Sequence, residues 1–352
     1  MTASNFIGDS GLPRQPGENA PKEEWQKYAA SLKAVVAAEE HRANFLHTRL
    51  NTLISSPAWK ALKKARQFID SSPLGRAKKF NVKHFLSKQQ HAAVVKGHPL
   101  VSILIPFRDQ PKLLENCLSS IHGKSSYQNT EIVLIDNGSV QPATGRLLSK
   151  LKSSCKPPRS IKTVRVDEPF NFSRLINVGA QHASGEYLLL LNNDVEVLTP
   201  GWLEALLEQN QREHTGAVGA RLLYPDGRIQ HAGVQIGGDD IAAHSFRLSP
   251  ADDPRVEAVR ECSAVTGACL MTHADLFKQL GGLNVKELPI AYSDVDYCLR
   301  AREMGLRVVY TPHATLIHHE TVSRGNTNSP SESTYMCRRW AREICDGACS
   351  GK

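Results

Sequence analysis

The stretch "LLLLNNDVEV", residues 188–197, sets four leucines directly against Asn192, Asn193 and Asp194 with no turn residue between them. An apolar run without polar alternation reads as a strand covered on both faces. The polar triplet is then what that strand presents at its carboxyl end. Upstream, "HPLVSILIPF" (98–107) and "TEIVLIDNGS" (130–139) have the same character, and "KTVRVD" (162–167) is a further strand. Between them, "PKLLENCLSSIHG", "PATGRLLSKLKS" and "FSRLINVGAQHA" have helical spacing; in the first, Leu113, Leu114, Cys117, Leu118 and Ile121 share a side. The βαβαβαβ alternation predicts an α/β fold with a mostly parallel, doubly wound sheet and flanking helices. Ligands of such sheets bind beyond the carboxyl ends of the strands. Three strands end there in polar clusters, "FRD", "DNGS" and "NND".

Composition excludes several classes. With 352 residues, 41% hydrophobic and 22% charged, the chain is long enough for one large core plus an accessory segment. Its longest apolar runs fall far short of the roughly 18 residues that span a bilayer. No basic start followed by an apolar segment marks a secretory signal, so the expected location is the cytoplasm. GxxxxGK[ST] is absent and no GxGxxG follows the first strand, which argues against a P-loop and a dinucleotide site. A divalent cation, Mg²⁺ or Mn²⁺, is the expected way to hold phosphates instead. The eight cysteines match neither a zinc pattern nor a CxxC pair and read mostly as small buried hydrophobes, although Cys345 and Cys349 could pair or bind a metal.

The net charge of +8 is concentrated: between Lys60 and Lys88 nine Lys or Arg residues face one acid, Asp70. Ser56 can cap a helix that Pro57 begins, with Trp59, Leu62 and Ile69 on one face and Lys60, Lys63, Lys64 and Arg66 around it. Such a basic amphipathic helix can lie on an anionic membrane surface, or be a solvated face of the main domain. Nucleic acid is not an expected partner, because the aromatics are not interleaved with the basic residues.

The segments "VSILIPFRD", "EIVLIDNGS", "NFSRLINVGAQHASGEYLLLLNNDVEV", "TGACLMTHADLFKQLGGLN" and "YSDVDYCLRAREMGLRVVYTPHATLIHHE", in this order, resemble a family 2 glycosyltransferase of GT-A fold. The likeness is to the bacterial rhamnosyltransferase-like enzymes of O-antigen and surface-polysaccharide assembly. It covers a GT-A domain (96–325); outside it, composition predicts a disordered start (1–20), a helical basic arm (21–95) and a C-terminal helix or tail (326–352). The likeness also implies inverting transfer from a dTDP-, UDP- or GDP-sugar to a glycan or polyprenyl-linked glycan. With such an acceptor, the arm would hold the protein on the inner face of the cell membrane.

Residue by residue, the resemblance gives Asp136 a contact to the nucleoside and places Pro106 in the same pocket. Arg174 would reach the diphosphate or stand as an exposed helix arginine. "NND" occupies the position of the family's DxD: Asp194 is the metal ligand, Asn192 replaces the first acid, and Asn193 lies between. His318 or His319 would complete the metal site. Asp294 is the expected general base, with Ser293 replacing the first acid of the family's pair, and Asp296 is either a second acid or a first-turn residue favoured by the helix dipole. Thr266 and Gly267 are expected on the acceptor side. His231 and His244, in a Gly-rich stretch, belong to an acceptor loop or a plain surface loop. Two other functions compete: a sugar nucleotidyltransferase, which would carry a Gly-rich loop that "IPFRDQPKLLENC" lacks, and a protein that binds a nucleotide sugar or glycan with weak or no turnover.

Overall fold

The computed structural model describes residues 21, 23–31, 82–88, 91–154, 160–237, 240–319 and 330–350. The chain divides into two units, Met1–Lys78 and Lys79–Lys352. In the first, residues 23–31 are helical, and the rings of Trp25 and Tyr28 meet edge to face with centroids 6.0 Å apart. The disorder expected for residues 1–20, the basic helix expected from Pro57 and the side chain of Cys349 lie outside the described residues. Among the described residues no helix is long and apolar enough to cross a membrane.

The second unit begins with α1 (Val82–Lys88), whose Phe85 is buried and carries the Arg221 guanidinium over its ring at 4.8 Å. The expected alternation follows as β1 (Val101–Phe107), α2 (Pro111–Lys124), β2 (Thr130–Asp136), α3 (Pro142–Ser154), β3 (Ser160–Arg165), α4 (Phe172–Gln181) and β4 (Tyr187–Leu191). These strands are parallel, in spatial order β4-β1-β2-β3. The four leucines at 188–191 divide between two cores. Leu189 and Leu191 join the cluster that includes Leu114 and Leu118 of α2, while Leu188 and Leu190 join the one that includes Leu175 and Ile176 of α4. The period of two along a strand makes this division, and helices on both faces demand apolar residues at every position.

Beyond β4 the sheet is mixed. The elements are β5 (Val195–Val197), α5 (Trp202–Asn210), β6 (Thr215–Leu223), β7 (Ile229–His231), β8 (Val234–Ile236), β9 (Ala242–His244), β10 (Arg260–Glu261), β11 (Cys269–His273), α6 (Ala274–Gln279), α7 (Ser293–Glu303), β12 (Arg307–His318), α8 (Pro330–Arg339) and α9 (Ala341–Ser350). The spatial order is β10-β12-β6-β11-β4-β1-β2-β3, with β5 added to β12, β7 to β6, and β8 and β9 forming a separate pair. β11 is antiparallel to both its neighbours. The chain leaves β6 at the carboxyl edge of the sheet, adds the short strand β10 beside β12, and re-enters the centre as β11, which runs back between β6 and β4. Its first residues thereby lie beside the end of β4, where the Asn192 N–H donates to the Ala268 carbonyl.

α8 and α9 close the unit over α7. Met336 and Trp340, four residues apart and so on one helix face, are buried in the core. Trp340 Nε1 donates to Asp296 Oδ1 at 3.0 Å, and Glu332 Oε1 accepts the N–H groups of Ile290 and Ala291. Cys117, Cys269 and Cys298 are buried free thiols, raised far above the ordinary range chiefly by burial, and Cys345 is a free exposed one.

Candidate active site

Two adjoining cavities open at the carboxyl edge of the sheet and share Phe172, Asn192 and Asn193. The first, about 260 Å³, takes Asp194 from the turn after β4, Thr266 to Ala268 from the approach to β11, and Ser293 and Asp294 from the start of α7. Gln230 of β7, His244 of β9 and His318 at the end of β12 complete its wall. The second, about 300 Å³, is lined by Pro106 at the end of β1, Arg108 and Gln110 just after it, Asn137 after β2, and Phe170 ahead of α4.

The loops around the second cavity are cross-linked. Asp109 Oδ1 accepts the N–H groups of Val140 and Gln141, and the Asp109 N–H donates to Ser139 Oγ, tying the turn after β1 to the turn after β2. Asp109 and Gln110 both have positive φ, a conformation that needs such support in residues with a Cβ. Asn137 donates from Nδ2 to the carbonyls of Val166 and Glu168, and among the described residues its buried Oδ1 has no partner.

In the first cavity, the backbone pairing of β5 with β12 sets Val195 against His318. This brings His318 Nε2 within 3.1 Å of Asp194 Oδ1 and 3.2 Å of Asn192 Nδ2. On the other side of the ring, Nδ1 lies 2.6 Å from Gln230 Oε1. The Asp294 carboxylate is fixed by two main-chain donors: Oδ2 accepts from Gly267 at 2.7 Å and Oδ1 from Val295 at 2.9 Å. Tyr292, one residue before α7, has a φ of 57° and turns the chain so that Ser293 is buried and Asp294 meets the cavity. His231 is fully buried; Nδ1 donates to the Ala220 carbonyl and Nε2 accepts from Gly233 and Thr266. Burial first, then the neighbouring His244, hold its pKa well below the ordinary histidine value, so it is neutral.

Of the residues named as candidates in the sequence, Asn192, Asn193, Asp194, His244, Thr266, Gly267, Ser293, Asp294 and His318 are brought together around the first cavity, and Pro106 lines the second with Asn192 and Asn193. Four stand apart. Asp136 is buried and engaged by the Ser139 N–H at 2.8 Å and by Arg165 at 3.1 Å. Arg174 points along the surface to Glu168. Asp296 is enclosed, paired with Arg300 at 2.8 Å and with Trp340. His319 faces Glu196 at 3.0 Å while its neighbour faces Asp194. Asn137, Gln230 and Phe172 line the cavities without having been singled out. Gln230 had one signal, its place beside His231.

The donor set suits a hard divalent cation. Asp194 Oδ1 and His318 Nε2 lie 3.1 Å apart, and the hydrogen bond behind the imidazole at Nδ1 leaves Nε2, which Asn192 Nδ2 approaches at 3.2 Å, as the nitrogen facing the cavity, as in metal-binding histidines. Among the described residues no group of three or more His, Cys, Asp or Glu side chains is arranged to hold a metal. Mg²⁺-type sites with one or two protein ligands take the remaining oxygens from phosphates and water.

Residues 102–280 match the family described as Glycosyl transferase family 2. Asp294 and His318 lie beyond the matched residues. The chain is 42% identical over 257 residues to an uncharacterized protein, y4gI, of Sinorhizobium fredii, covering 70% of this chain and 28% of that protein. It is also 42% identical over 235 residues to the O-antigen biosynthesis protein RfbC of Myxococcus xanthus, covering 65% of this chain and 18% of that protein. The chain thus spans less than a third of the length of either relative. Among solved structures, GalNAc-T7 with UDP, GalNAc and Mn2+ superposes over 70% of this chain and 50% of its own, with a TM-score of 0.57 at 18% identity. At that identity the likeness shows a shared fold.

Proposed function

Since the chain belongs to glycosyl transferase family 2, we propose that it transfers a sugar, with inversion, from a nucleotide-diphosphate donor to a hydroxyl of a glycan or lipid-linked glycan. One observation carries this reading: the Asp194–His318 pair and the Asp294 carboxylate face the same cavity from different walls. The second cavity has the aromatic and amide groups that suit a nucleoside, with Phe170 and Phe172 as apolar surface and Asn137 Oδ1 as a waiting acceptor. Asn192 and Asn193, common to both cavities, lie where the diphosphate would join nucleoside to sugar.

Asp194 and His318 would hold Mg²⁺ or Mn²⁺, with the neutral Asn192 amide beside them. When bound, the cation neutralises charge on the departing diphosphate. Asp294 accepts the acceptor's hydroxyl proton as that oxygen attacks the anomeric carbon. Its two main-chain hydrogen bonds keep the carboxylate aimed into the cavity. The likeness to the O-antigen biosynthesis protein of Myxococcus xanthus supports a surface polysaccharide as product. A dTDP-, UDP- or GDP-sugar is the donor, and the protein works at the cytoplasmic face of the membrane.

The test is release of nucleoside diphosphate from a panel of these sugar nucleotides with Mn²⁺ or Mg²⁺. Asp294→Asn should lower kcat by a factor of about 10²–10⁴ while donor binding, followed by thermal shift, is kept. Unchanged turnover in that variant removes Asp294 from the mechanism. Release of pyrophosphate from a nucleoside triphosphate would instead mark a nucleotidyltransferase, and donor binding without turnover a binding module.

A further inference from the structure

Gln230 is an acid amide in a site otherwise read through its carboxylates and histidines, and its position in the fold is unusual. β7 pairs with β6 through Leu222↔His231 and Leu223↔Ile229, and the register shifts between these two pairs. Gln230 is therefore the extra residue of a β-bulge, a device that re-aims a side chain next to active sites. Freed from the ladder, its carbonyl accepts from His244 Nδ1 at 2.8 Å, and its side chain reaches the first cavity, where Oε1 lies 2.6 Å from His318 Nδ1.

An amide oxygen only accepts, so the proton of that hydrogen bond belongs to His318 Nδ1. In a neutral imidazole the other nitrogen, Nε2, then carries a lone pair, and it is Nε2 that faces Asp194 at 3.1 Å. The residue is almost fully buried, 3% exposed, so water does not compete freely for the same bond.

We propose that Gln230 is a positioning residue of the metal site: by accepting the Nδ1 proton it holds His318 in the tautomer and orientation that present Nε2 to a divalent cation beside Asp194. This rests on the reading of Asp194 and His318 as metal ligands. The same bulge passes to His231, whose Nε2 accepts the Thr266 N–H next to the Gly267 N–H that holds Asp294. Adjacent residues of one short strand thus brace the two chemical halves of the cavity.

The test uses the full chain with Mn²⁺ alone, followed by electron paramagnetic resonance of the free ion, and metal-free protein labelled with ¹⁵N-histidine, read for the protonated ring nitrogen of His318. Gln230→Leu, close in shape and without an acceptor, should weaken Mn²⁺ binding about 10–100-fold and mix the His318 tautomers. Gln230→Glu, which keeps the acceptor, should restore both, and a thermal melt should show both variants folded. Wild-type Mn²⁺ affinity or an unmixed tautomer in folded Gln230→Leu overturns the proposal and leaves the metal ligands standing. Absence of Mn²⁺ binding by the wild-type protein overturns the reading of the ligands themselves and the proposal with it.

Discussion

Asp294 and Asp296 are two residues apart in one helix and have opposite surroundings. The first meets a cavity; the second is sealed between Arg300 and Trp340. Two residues in a helix turn through about 200°, so a motif with two acids at this spacing offers one to a ligand and one to the core. The histidine pair obeys the corresponding rule for a strand end: His318 faces Asp194 and His319 faces Glu196. At β2 the same alternation engages Asp136 inside the turn and gives the cavity to Asn137. Residue types and their neighbourhood were legible in the sequence to within one or two positions. The side to which each projects was not, because it follows from where each strand or helix stops. His231 carries a prediction at this scale. Its folded pKa lies below its unfolded value, so the unfolded chain alone binds a proton as pH falls through about 6.5. Stability should be constant above that pH and fall below it by up to about 1.4 kcal/mol per unit. Urea unfolding at several pH values checks this, and His231→Gln should lower the acid slope by one proton.

At the level of elements, the βαβαβαβ half was legible because three of its strands are short apolar runs between helical patterns and the fourth, β3, falls at the expected spacing as the sheet's edge. The half that follows β4 was not, since direction in a sheet is set by which edge the chain departs from and no local pattern encodes that. β11 returns from the carboxyl edge and so delivers Thr266 and Gly267 to the same end of the sheet as Asn192. The last helices were hard to read for a different reason. In "PSESTYMCRRWAREI" only Met336, Trp340 and Ile344 recur at helical spacing, a narrow stripe. That stripe is nonetheless packed in the core: Met336 and Trp340 are fully buried and Ile344 packs against the same cluster. Trp340→Ala should destabilise the second unit by about 3–5 kcal/mol through the cavity left and should release Asp296 from its indole partner. Chemical denaturation measures the first effect. A loss below 1 kcal/mol would show that α8 is only loosely applied.

On the scale of the whole chain, residues Lys79–Lys352 form a unit of their own, and six of the nine basic residues between Lys60 and Lys88 precede it. Deleting residues 1–78 should leave donor turnover intact and weaken binding to vesicles containing anionic lipid, an effect that raised salt should imitate in the full chain. Co-sedimentation with such vesicles checks it; undiminished binding would show that residues 1–78 make no membrane contact. The short strand β7 has a bearing on engineering. Because Gln230 and His231 are consecutive, a segment exchange with a relative that replaces residues 224–262 to alter acceptor choice also replaces the brace behind His318. Under the proposed function, donor-side and acceptor-side properties would then be coupled, and chimaeras made at the obvious loop boundaries should inherit changes in both at once unless this dipeptide travels back with the host.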